Sequence, residues 1–320
     1  MNGIGNASAR LATIDEGEDG QRIDNYLMRE LKGVPRSHVY RLVRGGEVRV
    51  NSGRVDQTYR LRAGDRVRIP PVRVSDNASK RPTSPSALAE LPILFEDAAL
   101  IAIDKPAHLA VHGGSGVNFG VIEHLRIIRP QAKYLELVHR LDRDTSGVLL
   151  VAKKRSALTA LHAAWREGVV EKMYLALVSG AWEQSGHVVD EPLQRYLLPG
   201  GERRVRIDVD GQTARTVFKR LEVGPLATLV EADLETGRTH QLRVHLAHLG
   251  TPILGDEKYG DFALNKLLGK RGLKRIFLHA SRIRLDHPLT GDPMEILSPL
   301  PEELALFAKR MLKATDAQSL

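Results

Sequence analysis

The sequence predicts an α+β fold in two domains, a small basic one followed by a larger mixed one. Three observations carry that expectation. Residues 187–234 break into short alternating strands, with turns at Pro199-Gly200-Gly201 and Asp210-Gly211, while helical periodicity is confined to other stretches. Helices and strands therefore do not alternate as βαβ repeats. Apolar runs at 135–138 and 148–152, bounded by turn residues, read as buried strands. The basic excess is also local. Residues 21–73 hold thirteen Lys or Arg against Asp24, Glu30, Glu47, Asp56 and Asp65, which by itself supplies the net charge of +8 carried by the 320-residue chain.

Residues 22–31 read as a helix, with Ile23, Leu27 and Leu31 on one face. A second helix opens at Pro35-Arg36-Ser37, with Ser37 as its expected N-cap, turns Val39, Leu42 and Val43 inward, and stops at Gly45-Gly46. Residues 47–50 and 55–61 alternate as strands about an Asn51-Ser52-Gly53 turn, and 66–69 form another strand. Twelve of the thirteen cations in 21–73 are arginine, which suits bidentate phosphate contact. Residues 75–90 are polar, proline-containing and aperiodic, and read as a tether between domains 12–74 and 91–312.

In the second domain, strands are expected at 93–95 and 100–103, ending at Asp104-Lys105-Pro106, and a helix at 121–128. The glycine-rich Val111-His112-Gly113-Gly114-Ser115-Gly116 lacks the Lys-Ser/Thr that a nucleotide-binding P-loop requires. A helix at 156–167 buries Leu158, Leu161 and Trp165, and a strand at 169–178 carries Tyr174. Thr239 is the expected cap of a helix that ends before Gly250 and buries Leu242, Leu246 and Leu249. Arg238 would then stand at a helix N-terminus suited to a phosphate. Arg243, one step from the buried stripe, would need an anionic partner. Strands at 276–285 and 295–297 and a helix at 302–312 close the chain.

Composition narrows the function. No apolar run is long enough to span a bilayer, and the first twenty residues lack the apolar core of a secretory signal. Cysteine is absent, which removes disulfides and thiolate metal sites and fits a reducing cytoplasm. The localised charge points to a polyanion such as RNA. His240, His245 and His248 lack the spacing and the carboxylate that a zinc site would need, so no metal is expected.

The stretch that concentrates chemistry is His139-Arg140-Leu141-Asp142-Arg143-Asp144-Thr145-Ser146-Gly147, between the two buried runs. Charge at such a junction is costly unless paired or used. On spacing alone it reads as a polar turn with solvated arginines. His139, Asp142 and Ser146 are too close in sequence to converge as a hydrolase triad, and no GxSxG is present.

HRLD followed by two residues and TSG resembles the signature of the RluA-type pseudouridine synthases, and TGRTHQLRVH at 236–245 is similar to a second segment of that family. The order RIDNYL, SHVYRLVRGGEVRVN and L-x-AGD-x-V-x-I is similar to an S4 RNA-binding domain. The resemblance implies a pseudouridine synthase fold, with a mixed, largely antiparallel sheet, flanking helices and a cleft, preceded by an S4 domain. It implies isomerisation of uridine on a flipped-out nucleotide. Asp142 would be the catalytic carboxylate, Arg243 its partner and Tyr174 the essential tyrosine. Arg140, Arg238 and His240 would meet RNA beside them, and Arg36, Arg41 and Arg44 would meet RNA phosphates on the S4 domain. The implied setting is a cytoplasmic monomer acting on large-subunit (23S) ribosomal RNA without cofactor. A non-catalytic, RNA-binding ribosome-assembly protein is the alternative; it would not need both motifs.

Overall fold

The computed structural model describes residues 9–15, 18–31, 34, 36–72, 91–113 and 119–316. The chain divides into two compact units, 1–82 and 83–320. The expected tether at 75–90 lies outside the described residues, as do 114–118 of the glycine-rich segment.

The first unit packs two helices, α1 (Ile23–Glu30) and α2 (Arg36–Arg44), with three strands, β1 (Arg10–Thr13), β2 (Arg49–Val50) and β3 (Arg66–Ile69), in the antiparallel order β1-β3-β2. Its core is Ile23 and Leu27 from α1, Val39, Leu42 and Val43 from α2, and Val67 and Ile69 from β3. Two expectations fail here. Ser37 does not cap α2, because the helix already includes Arg36 and places Ser37 in its first turn. Residues 55–61 form no strand. Asp56 takes the Thr58 N–H at 2.8 Å and the Thr58 hydroxyl at 2.6 Å, a local turn that diverts the backbone from a ladder. The Asn51-Ser52 turn forms as expected, with both residues left-handed.

The second unit is built on a ten-stranded sheet. Its strands are β4 (Ile93–Glu96), β5 (Leu100–Lys105), β6 (Glu136–Leu137), β7 (Ser146–Ala152), β8 (Glu171–Ser179), β9 (Gly186–Asp190), β12 (Arg215–Val223), β13 (Ala227–Leu234), β14 (Leu278–Asp286) and β15 (Pro293–Leu297). The main path runs β4-β5-β7-β14-β8-β13-β12-β9, with β6 on β7 and β15 on β14; only β7–β14 is parallel. A separate hairpin pairs β10 (Leu193–Leu197) with β11 (Arg203–Ile207). The architecture is the mixed, largely antiparallel α+β arrangement expected.

All seven residues of β7 are buried, because the sheet is covered on both faces. Val148, Leu150 and Ala152 join Leu100 and Ala102 of β5 in one core, against Ala157 and Leu161 of helix α4 (Arg155–Glu167). Leu149 and Val151 join Ile101 and Ile103 on the other face. There they meet α3 (Val121–Ile128), α5 (Gln241–His248), α6 (Phe262–Lys270) and α7 (Glu302–Met311). Helix α6 was not anticipated. It buries only Leu268 and leaves Phe262 exposed, so it shows no apolar stripe; its signal is Asp261, whose carboxylate caps the Ala263 and Leu264 N–H groups.

Candidate active site

The segment between β6 and β7 carries Asp142 to one end of the sheet. Gly147, five residues on, has φ +112°, and a Cβ there would lie 2.1 Å from the Ala280 carbonyl oxygen of β14. Glycine is what lets β7 turn out of this loop directly against its parallel neighbour. The loop is also held from behind. The buried Lys105 Nζ, at the end of β5, donates to the Pro106 and Leu109 carbonyls, each at 2.8 Å, and to the Arg143 carbonyl at 3.1 Å. Burial lowers the Lys105 pKa to about 7.

Asp142 faces a cleft of about 130 Å³ together with Arg140, Tyr174, Arg238, His240 and Arg243. Tyr174 reaches it from β8 and is nearly sealed from solvent. Burial, and then the Asp142 charge, raise its pKa, so the phenol keeps its proton at neutral pH.

Helix α5 brings the remaining groups. Thr239 does not cap it. His240 takes a left-handed backbone, φ 55°, immediately before the helix and so places Thr239 outside the first turn. The buried Gln241 organises the entry in its place. Its Oε1 accepts from the Thr236 hydroxyl at 2.8 Å and the Arg238 N–H at 3.0 Å, and its Nε2 donates to the Arg215 carbonyl at 3.0 Å. Arg238 is thereby fixed at the cleft wall, with Nε donating to the Thr213 carbonyl at 2.9 Å.

Arg243 Nη1 lies 3.3 Å from Asp142 Oδ2. Its tighter pair is one the motif did not reveal: Nε and Nη2 grip the two oxygens of Asp256 at 2.8 and 2.7 Å. Asp256 is buried and also accepts from the Lys258 N–H at 2.8 Å and the Tyr259 N–H at 3.1 Å. Burial pushes the Asp256 carboxyl up, but the Arg243 hydrogen bonds and charge, with those two N–H groups, bring it below the usual carboxylate range. Arg243 is itself raised: burial opposes its charge, and Asp256, with Asp142 behind it, outweighs that cost. His240 Nε2 stands 3.8 Å from the same Asp142 oxygen. Burial lowers the His240 pKa, with Asp142 pulling the other way, and the ring is neutral at pH 7.

Six of the residues named from the sequence, Asp142, Arg140, Tyr174, Arg238, His240 and Arg243, thus share one cleft. Arg41 and Arg44 lie exposed on α2 of the first unit, and the side chain of Arg36 lies outside the described residues. His139, Asp142 and Ser146 make no triad. His139 is half-buried, stacks on Trp165 and accepts from the Leu150 N–H at 3.1 Å, while Ser146 is buried against His279 and Arg275. His245 is engaged at both ring nitrogens, by the Thr216 hydroxyl and the Glu191 carbonyl. Among the described residues, no group of three or more His, Cys, Asp or Glu is placed to hold a metal ion, and no helix is long and apolar enough to cross a membrane. The hairpin β10–β11 adds Arg195 to the cleft lining and carries Arg203 and Arg206 exposed, none of them singled out by sequence motifs.

Known proteins with related sequences match over both units. The family described as RNA pseudouridylate synthase matches residues 99–248, and the S4 domain matches 21–67. The chain is 53% identical, over 98% of its own length and 96% of the other's, to the ribosomal large subunit pseudouridine synthase C of Pasteurella multocida. It is 49% identical, over 96% and 98%, to the protein of that name from Escherichia coli K12. The solved structure of human RNA pseudouridylate synthase domain containing 4 shares 29% identity, with a TM-score of 0.57 over 69% of this chain and 92% of that one.

Proposed function

The chain belongs to the RNA pseudouridylate synthase family, and on that premise we propose that it isomerises uridines of large-subunit (23S) ribosomal RNA with Asp142 as the catalytic acid. The observation that carries the assignment is the placing of Asp142 in an open cleft with one carboxylate oxygen held by Arg243.

Uridine isomerisation breaks the N1–C1′ bond, turns the base and joins C5 to C1′; C5 then gives up its proton and N1 takes one up. Every heavy atom of the product comes from the substrate, protons balance and no electrons are exchanged, so the reaction calls for no cofactor. C1′ becomes cation-like as the bond to N1 breaks. A carboxylate on its face stabilises that charge, attacks it or takes a proton from C2′. The same chemistry underlies carboxylate roles in glycoside cleavage. The reacting atoms are buried in a stacked helix, so the nucleotide is flipped into the cleft. Tyr174, protonated and buried, meets the base as a neutral aromatic ring and does not serve as a phenolate base. Arg140 and Arg238 hold the flanking phosphates, and His240 lies behind the carboxylate.

Residues 12–74 hold RNA through Arg36, Arg41 and Arg44, residues 75–90 act as the tether and 91–312 form the catalytic domain. The enzyme works as a cytoplasmic monomer. A binding protein without catalysis leaves the Asp142–Arg243 pair unexplained, since a carboxylate facing the cleft repels phosphate. The test is Asp142→Asn on unmodified large-subunit rRNA. The expected result is a loss of pseudouridine formation by about a thousandfold or more with RNA affinity retained. Turnover equal to the wild type would remove Asp142 from its role.

A further inference from the structure

Tyr259 lies in the loop after Asp256, and its hydroxyl is met from two sides. The Val205 N–H of β11 donates to it at 2.9 Å, and Nδ1 of His240 is 2.8 Å away. A phenol has one proton to give and lone pairs to receive. With the backbone N–H on a lone pair, its proton is directed at Nδ1. A neutral imidazole whose Nδ1 accepts carries its own hydrogen on Nε2. Nε2 is the nitrogen that faces Asp142, 3.8 Å from Oδ2. The same oxygen receives Arg243 Nη1 at 3.3 Å. Among the described residues, no hydrogen-bond donor reaches Oδ1. The Tyr259 ring also supports the second donor, since the Arg243 guanidinium lies over it at 5.2 Å from the centroid.

We infer that Tyr259 is a positioning residue: its hydroxyl sets the His240 tautomer so that an N–H, not a lone pair, faces Asp142 Oδ2 from 3.8 Å beside the Arg243 hydrogen bond, which favours that oxygen's staying turned inward and leaves Oδ1 as the oxygen presented to the sugar. The inference rests on Asp142 being the catalytic group. It assigns Tyr259 no contact with the reacting atoms. Its effect passes through His240 and the orientation of one carboxylate, which is the kind of support that distinguishes a precise site from a loose one.

Tyr259→Phe deletes the hydroxyl and keeps the ring under Arg243. Nitrogen-15 NMR of histidine-labelled full-length protein reads the tautomer directly, with the His240 signals identified by their loss in His240→Gln. The wild type is expected to show hydrogen on Nε2 alone, and Tyr259→Phe a mixture of the two forms. Hydrogen on Nδ1 in the wild type, or an unchanged single tautomer in Tyr259→Phe, would overturn the inference. On rRNA, Tyr259→Phe is expected to lose about tenfold in kcat at unchanged KM, with the melting temperature lowered by only a few degrees for the Val205 N–H left without its acceptor. A wild-type kcat, or a loss confined to KM, would equally overturn it. Failure of the wild type to form pseudouridine would instead defeat the reaction assigned above, while the NMR measurement would still judge the role of the hydroxyl.

Discussion

Arg243 divides its guanidinium between two carboxylates, giving Nε and Nη2 to the buried Asp256 and Nη1 to Asp142 at the cleft. Asp256 thus holds the cation in place whether or not Asp142 is engaged with substrate. Removing it as Asp256→Ala strands a largely buried guanidinium, and such an uncompensated charge costs about 3–5 kcal/mol. In a domain of this size each kcal/mol lowers the melting temperature by about 2–4 °C, so calorimetry of Asp256→Ala is expected to show a fall of roughly 6–20 °C. The result against this account is a melting temperature like that of the wild type. The motif around Arg243 made its need for an anion legible, but not which anion would serve first. Asp256 lies in a stretch that reads only as a loop, and what qualifies it is burial beside α5, which residue spacing does not express. Tyr259 was hidden for the same reason: its partners Val205 and His240 come from separate elements.

Strand ends, more than strand middles, determine where Asp142 lies. Lys105 closes β5 and ties three carbonyls from two loops together, one of them in the loop of Asp142. Its folded pKa, about 7, is well below the 10.5 of an unperturbed lysine. Between those values the unfolded chain binds more protons than the folded one, so stability rises with pH across that window. Below about pH 7 both states are charged and the full cost of burying the ammonium stands. Chemical denaturation of the wild type and Lys105→Met from about pH 6 to about pH 10 is expected to show the wild type gaining on the variant as pH rises. Parallel pH profiles would place the ammonium elsewhere. At the start of β7, Gly147→Ala drives a methyl group into the Ala280 backbone at a left-handed φ, and is expected to destabilise by about 3 kcal/mol or more or to prevent folding. Native-like denaturation of that variant would show that the strands can separate at little cost. Most elements were legible because their apolar residues keep a period: β5, β7, α3, α4 and α7 stand within a few residues of expectation. At residues 55–61 and Thr239 a side chain or one left-handed residue redirected the backbone, whereas at Ser37 the helix simply begins a residue earlier.

Across the whole molecule, the localised charge and the motif pair were enough to expect two units, but the strand order was not accessible to pattern. Arg41 and Arg44 are exposed on α2 of the first unit, and RNA contact is the role proposed for them above. Replacing both with Ala should weaken rRNA binding and reduce the slope of log affinity against log salt by about 1.5, with turnover on a short stem-loop unchanged. An unaltered slope would relieve the helix of that duty. Strand β14 occupies the position between β7, which follows Asp142, and β8, which bears Tyr174. Asp142, Tyr174 and Arg243 have all been translated long before β14 emerges, yet without it the two strands have no common neighbour. Assembly of the cleft must therefore await a parallel pairing between residues 146–147 and 279–280, a distant closure of the kind that folds slowly. A nascent chain is therefore expected to stay catalytically silent until residues 278–286 have left the ribosome.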